Sequence, residues 1–254
     1  MNKSVSKKRK KFIVGIVQAR MGSTRLPGKT FKNIQGKPIL EHIIDRIRRA
    51  KLIDKIVIAT TFKEKDRVIA KFAKSHGIPC YLGSEEDVLD RVYHAAEKFD
   101  ARIIVRITAD DPFKDPDIID KIVSRYLEMS DDIDYVSNTV RPTYPLGLDV
   151  EVFSFESLRK AWAEANKPLE REHVTPYIWG HPKIFRLANV ENDDDLSHLR
   201  WTLDTEDDLR FTREIYDCLY KKGRVFLMKE ILDLLKDKPQ LTNVNRPRRE
   251  EDVK

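Results

Sequence analysis

The stretch QARMGSTRLPGKT, Gln18 to Thr30, gathers the residues best suited to hold phosphate: Arg20, Arg25 and Lys29 bring three cations, and Gly22 opens the backbone. It follows an apolar run, FIVGIV. A strand ending in a glycine-containing turn exposes backbone N–H groups, here those of Gly22 and Ser23. With cations alongside, such a loop can wrap a triphosphate and neutralise it without a helix terminus. Its tail, Gly28-Lys29-Thr30, imitates a Walker loop, but the position that must hold the first glycine carries Ser23, not Gly22. Pro27 removes a backbone donor from the would-be cradle, and FKNIQGKP separates it from the next helix. The Walker reading fails, and a non-Walker triphosphate grip or an ordinary basic turn remains.

Acidic residues recur at the ends of apolar runs. Asp110 and Asp111, in TADDP, follow RIIVRIT, where ligand groups gather at the carboxyl edge of an open parallel sheet. Asp204, in LDTEDD, stands just before a capping box formed by Thr205 and Asp208. One or two carboxylates suffice for a hard divalent cation when phosphate oxygens complete its shell; a turn acid and a helix start are the structural alternatives. GSEEDVLDR scans as another capping box, Ser84 with Asp87. Arg106 lies inside an apolar strand, so it must pair with an internal acid or face a pocket. Asp149 and Glu151 have period-two spacing and can share one side of a strand. With Arg171, Glu172 and His173 they would suit a polar acceptor or second-metal pocket, or equally a solvated sheet face and helix start. No serine near His173 has the context of a nucleophile elbow, so a catalytic triad is not supported.

Elements that could position these residues alternate through the first half. Phe12–Val17, Lys55–Thr61, Pro79–Gly83 and Arg102–Thr108 read as buried strands. Between them, helices are expected over Pro38–Ala50, with Pro38 in the first turn, Asp66–His76, Asp87–Phe99 and Asp117–Leu127. Strands alternating with helices imply βαβ units and a mostly parallel sheet covered on both faces. Farther on, DIDYVSN and LDVEVF read as strands around the loop RPTYPLG, with helices over Ser154–Ala165 and Arg171–His181. KIFRLANV and HLRWTL are expected to pair across ENDDDLS, before helices over Thr205–Lys221 and Val225–Lys236.

The 254 residues allow one large α/β domain with an added lobe. The expected division is a basic disordered tail over 1–11 and a single domain over 12–240. That domain has a nucleotide-binding half to about 130 and an acceptor-side half from 131, and a loose tail covers 241–254. The net charge of +6 invites a nucleic-acid reading. Lys3, Lys7, Lys8, Arg9, Lys10 and Lys11 account for all of it, so no basic stripe remains to favour such a partner. Cys80 and Cys218 are far apart, without disulfide or zinc spacing, which fits a reducing cytosol. No run of about 18 apolar residues occurs, and FIVGIVQARMGS lacks a cleavage site, so a soluble cytoplasmic protein without membrane contact is expected.

Taken together, QARMGSTRLPGKTFKNIQGKPILEHIIDRI resembles the N-terminal signature of the sugar-acid cytidylyltransferases, A-x-x-x-S-T-R-L-P-G-K followed by G-K-P. GSEEDVLDR, RITADDP, YPLGLDVEVF, REHVTPYI and WTLDTEDDL are similar to the branch named after spore-coat polysaccharide biosynthesis protein F, in order to about Leu209. The resemblance implies a three-layer α/β/α sandwich like that of the nucleotide-diphospho-sugar transferases, and transfer of CMP from CTP to a small acidic acceptor. It implies nucleotide-binding roles for Ala19, Arg20, Gly22, Ser23, Thr24, Arg25 and Lys29, with Arg20, Lys29 and Asp110 in the catalytic set. It makes Asp110 and Asp204 the ligands of Mg²⁺ or Mn²⁺, while Asp111 falls where the family varies. It places Ser84, Asp87 and Arg91 near the nucleotide base; from the residues themselves, Arg106 reads as a further nucleotide contact and Asp149, Glu151, Arg171, Glu172 and His173 as the acceptor set. A homodimer is implied as well. A glycosyltransferase using a nucleotide-sugar donor and a non-catalytic nucleotide-binding subunit are the rival readings. The triphosphate grip argues against the first, and the pair Asp110 and Asp204 against the second.

Overall fold

A computed structural model describes residues 12–245. The basic tail expected over 1–11 lies outside the described residues, as do positions 246–254 of the expected C-terminal tail. The chain begins with β1 (Ile13–Gln18), a 3-10 turn at Lys29–Phe31, and a ribbon of β2 (Asn33–Ile34) and β3 (Lys37–Pro38). Then α1 (Ile39–Ile47), β4 (Lys55–Thr61), α2 (Arg67–Ser75), β5 (Cys80–Gly83), α3 (Val88–Lys98), β6 (Ile103–Thr108) and α4 (Pro116–Glu128) alternate strictly. The second half holds β7 (Tyr135–Ser137), β8 (Glu151–Ser154), α5 (Phe155–Glu164), α6 (Pro168–His173) and α7 (Pro176–Trp179). It ends with β9 (Leu187–Asn189), α8 (Glu206–Leu219) and α9 (Met228–Asp237).

The strands form one seven-stranded sheet in the order β5-β4-β1-β6-β8-β7-β9. The first four are mutually parallel, and β8 alone runs against its neighbours β6 and β7. Alternation along the buried strands assigns their side chains to two cores. Ile13, Val17, Val105 and Ile107 pack with Ile43 of α1, Ile69 of α2, Ile119 of α4 and Phe211 of α8. Val14, Ile16 and Ile104 pack with Val92 of α3, Leu158 of α5 and Ile178 of α7. The expected three-layer sandwich with a mostly parallel sheet is therefore present. Within α1, Ile39, Leu40, Ile43, Ile44 and Ile47 are all fully buried, each worth about 1.5–3 kcal/mol against exposure. Chain order reverses between β1 and β6, which opens a crevice at their carboxyl ends.

Several sequence expectations are corrected. Pro38 caps α1 from the ribbon and is not in its first turn. The capping residue of α3 is Asp87, whose carboxylate accepts from the Asp90 N–H, while Ser84 Oγ accepts from the Asp87 N–H one turn earlier. The helix expected over Arg171–His181 is broken at Val174, whose φ of 71° a β-branched residue rarely adopts. Pro176 then opens α7. KIFRLANV and HLRWTL do not pair: β9 joins β7 in parallel, and HLRWTL runs beside Leu146, with Trp201 N–H donating to Leu146 O at 2.7 Å. At its near end the expected loose tail is packed, with Leu241 buried and Asn245 Nδ2 donating to Arg200 O.

Candidate active site

The QARMGSTRLPGKT loop leaves the carboxyl end of β1 and is pinned from below. Met21 N–H donates at 2.6 Å to Asp66, a fully buried carboxylate that also accepts from Thr61 Oγ1. Sequence reading missed Asp66, since nothing local marks an acid at a helix start as an anchor for a loop 45 residues away. Ser23 N–H is turned inward onto Met21 O, so it is not presented to the cleft as expected. The Lys65–Glu85 ion pair lies over Gly22, and a Cβ there, 2.9 Å from Lys65 Nζ and 3.0 Å from Glu85 Oε1, would only push these flexible side-chain ends aside. Gly28, at φ 67°, turns the chain into Lys29–Phe31 and aims Lys29 inward.

A cleft of about 420 Å³ lies over this loop, lined by Ala19, Arg20, Gly22, Ser23, Thr24, Arg25 and Lys29. Its far wall carries Arg91, Arg106, Asp110, Glu172, His173 and Asp204. Residues separated by up to 175 positions meet there: Lys29 Nζ lies 2.8 Å from Asp110 Oδ2 and 2.8 Å from Asp204 Oδ1. The displaced HLRWTL segment explains the meeting. Leu203 N–H donates to Asp110 O at 2.8 Å, which sets Asp204 opposite Asp110 across the crevice. On the outer side, Asp204 Oδ2 is held by Arg25 and Arg200, each at 3.0 Å. Asp208, nearly fully buried, grips Arg200 and also accepts from the N–H groups of Asp204 and Thr205. The capping-box reading of Thr205 and Asp208 is thus correct and leaves Asp204 facing the cleft.

Burial opposes charge on Asp204, yet Lys29, Arg25 and Arg200 hold its carboxyl below the usual range. Burial likewise opposes the Lys29 ammonium, and the two carboxylates raise it above its ordinary value. Two carboxyl groups converging on one cation suit a hard divalent ion, whose remaining ligands would be phosphate oxygens and water. Among the described residues no group of three or more His, Cys, Asp or Glu forms a closed metal cage. Asp111 does not join the pair. Its carboxylate is buried against Lys114 at 2.7 Å and Thr108 Oγ1 at 2.6 Å, and burial pushes it up.

A second cleft of about 280 Å³ shares Arg106, Thr108 and His173 with the first and adds Asp149, Glu151, Thr175 and Trp179. Asp149 and Glu151 share one side, as their spacing predicts, but Glu151 is not on a solvated face. It is buried and accepts from Tyr135 Oη and Thr175 Oγ1, each at 2.6 Å, and pairs with Arg106. Burial works against its ionisation, and Arg106 with these donors holds it below the usual range. Arg106 also donates to Gln18 Oε1 at 2.5 Å, so its charge is satisfied internally while its edge lines both clefts. Burial pushes the Asp149 carboxyl up to about 6, with Lys114 opposing and Asp111 and Glu151 reinforcing.

Ser84, Asp87 and Arg171 line neither cleft. Arg171 grips Asp87 at 2.5 Å and donates to Trp162 O, tying α6 to the start of α3 and to α5. Arg91 does reach the first cleft; it is almost fully buried, and burial and then Arg20 lower it to about 10.

A cytidylyltransferase family model matches residues 14–238. The chain is 32% identical to the Bacillus subtilis spore coat polysaccharide biosynthesis protein SpsF, over 89% of this chain and 95% of that one. It is 36% identical over 121 residues, 46% of each chain, to a 3-deoxy-manno-octulosonate cytidylyltransferase of Nitratidesulfovibrio vulgaris. A solved cytidylyltransferase from Leptospira borgpetersenii superposes with a TM-score of 0.88 at 29% identity, covering 94% of this chain and 99% of that one. The sandwich is therefore of the nucleotide-diphospho-sugar-transferase kind that the sequence motifs implied.

Proposed function

The chain belongs to the cytidylyltransferase family, and on that premise we propose that it transfers CMP from CTP to a sugar acid or a related small acidic or phosphorylated acceptor, releasing pyrophosphate. The product would feed surface polysaccharide or glycoconjugate synthesis, a reading supported by the likeness to SpsF and to the octulosonate enzyme. The observation that carries the proposal is the convergence of Lys29, Asp110 and Asp204, within 2.8 Å contacts, beside the arginines of the β1 loop. Cations and two carboxylates thus line the path that a triphosphate chain would take along the cleft.

Arg20, Arg25 and Lys29 neutralise the β- and γ-phosphates as charge shifts to the leaving pyrophosphate. Arg91, at the wall near Val88, faces the base. Asp110 and Asp204 would hold Mg²⁺ or Mn²⁺, which when bound supplies charge neutralisation at the phosphate oxygens. The acceptor sits in the second cleft, against Asp149, His173 and Trp179, and its hydroxyl attacks the α-phosphorus in line. The new O–P bond forms as the bond to the pyrophosphate oxygen breaks, and the hydroxyl proton is released to water. Positioning and fixed charge supply most of the rate, as in other phosphoryl transfers.

Pyrophosphate release, followed with each of the four nucleoside triphosphates across a panel of sugar acids and phosphorylated acids, tests the proposal. CTP is expected to support release with at least one acceptor. Release with UTP alone would overturn the base assignment, and sugar transfer from a nucleotide-sugar without pyrophosphate would replace the reaction class.

A further inference from the structure

The cation position between Asp110 and Asp204 is closed by the protein's own side chain. Lys29 Nζ contacts one oxygen of each carboxylate at 2.8 Å, and its side chain is 13% exposed. We propose that this pair takes its divalent cation only together with the nucleotide, because Lys29 holds the place until phosphate draws it away. The inference rests on the metal role assigned to Asp110 and Asp204 above and adds an order of loading to it.

Charge supports that order. Asp110 and Asp204 face Lys29, Arg25 and Arg200, and Asp208 closes on Arg200, so the three carboxylates already have three cations paired with them. A bare dication entering this group would find no unpaired carboxylate and would have to displace an ammonium already paired with both Asp110 and Asp204. A metal–nucleotide complex is net negative and brings phosphate oxygens that are better partners for the displaced cations.

The three cations differ in how freely they can leave. Arg25 has a side chain 63% exposed and can turn to phosphate without breaking a buried contact. Lys29 has a fixed backbone, its N–H donating to Leu26 O, but its four-carbon stem can swing the ammonium across the cleft. Arg200 cannot follow: it is clamped by both oxygens of Asp208 at 3.0 and 3.1 Å. It therefore acts as a positioning residue, keeping Asp204 Oδ2 turned outward so that Oδ1 faces Asp110. On loading, the same lysine that stands between the two carboxylates becomes a phosphate ligand.

Mn²⁺ is the probe, with bound metal read by electron paramagnetic resonance and water-proton relaxation and no acceptor present. Bare Mn²⁺ is expected to bind Lys29→Met at least about tenfold more tightly than it binds the unsubstituted protein. Lys29→Gln should move in the same direction, which guards against a folding defect in one variant. Adding Asp110→Asn to Lys29→Met should cancel the gain. If Lys29→Met binds bare Mn²⁺ no more tightly than the unsubstituted protein, the gating role is overturned. The metal role has its own readout: Mn²⁺ with CTP should show enhanced relaxation on the unsubstituted protein and lose it on Asp110→Asn. No enhancement there would sink the metal assignment and this inference together.

Discussion

Asp110 and Asp204 face each other across the Lys29 ammonium at the cleft. Asp110→Asn or Asp204→Asn should lower kcat by about a hundredfold or more, with thermal unfolding little changed because both groups are partly solvated. Near-normal turnover in either variant would remove that residue from the site. Asp149 gives a pH signature. Its carboxyl, pushed up to about 6 by burial, is largely neutral below that value and charged above it. The KM for an acidic acceptor is therefore expected to rise as pH passes upward through about 6, and Asp149→Asn should flatten the rise. A KM that falls through the same window in the unsubstituted protein would contradict the acceptor placement. Lys29, Asp110 and Asp204 were legible from motif resemblance because each sits in a recognisable string. Arg200, Asp66 and Gln18 were not, because their roles depend on side chains that meet only after folding.

The elements of the first half were legible because βαβ units carry their own punctuation: a β-branched run, an amphipathic stretch, a stop. In the second half β7, β8, α5, α8 and α9 fall where the sequence places them, but the strand pairing was not legible, because the short strands there take their place from neighbours. The three-residue β9 lies in parallel beside β7, and HLRWTL, though apolar enough for a strand, is needed beside Leu146 and Asp110. Gly147 makes that route possible. It sits at φ 107°, and a Cβ added there would lie 2.7 Å from the Trp201 carbonyl carbon, so Gly147→Ala should destabilise the fold and displace Asp204. Equal stability and equal kcat in that variant would show that the contact yields without consequence. On β8, Glu151→Ala would leave Arg106 deep in the sheet without its carboxylate. It should cost about 3–5 kcal/mol in urea unfolding, and a loss under about 1 kcal/mol would mean water replaces the carboxylate.

At the scale of the whole molecule, the sheet order β5-β4-β1-β6 gathers the carboxyl ends of β1 and β6 at one crevice. The chain then returns through HLRWTL to bring its second acid there. Two contiguous clefts, one rich in cations and one lined by Asp149, Glu151 and His173, meet at Arg106 and Thr108, and the proposed reaction would use one for the donor and the other for the acceptor. No helix among the described residues is long and apolar enough to cross a membrane. The central claim, that this architecture transfers CMP and releases the two outer phosphates together, is tested most directly by position-specific labelling. CTP labelled at the α-phosphorus and CTP labelled at the γ-phosphorus are supplied in parallel with an accepting sugar acid. The α-label is predicted to appear in the acceptor and the γ-label in pyrophosphate, in equal amounts. An acceptor that carries the γ-label, or that gains sugar while both labels stay on the nucleotide, would contradict it.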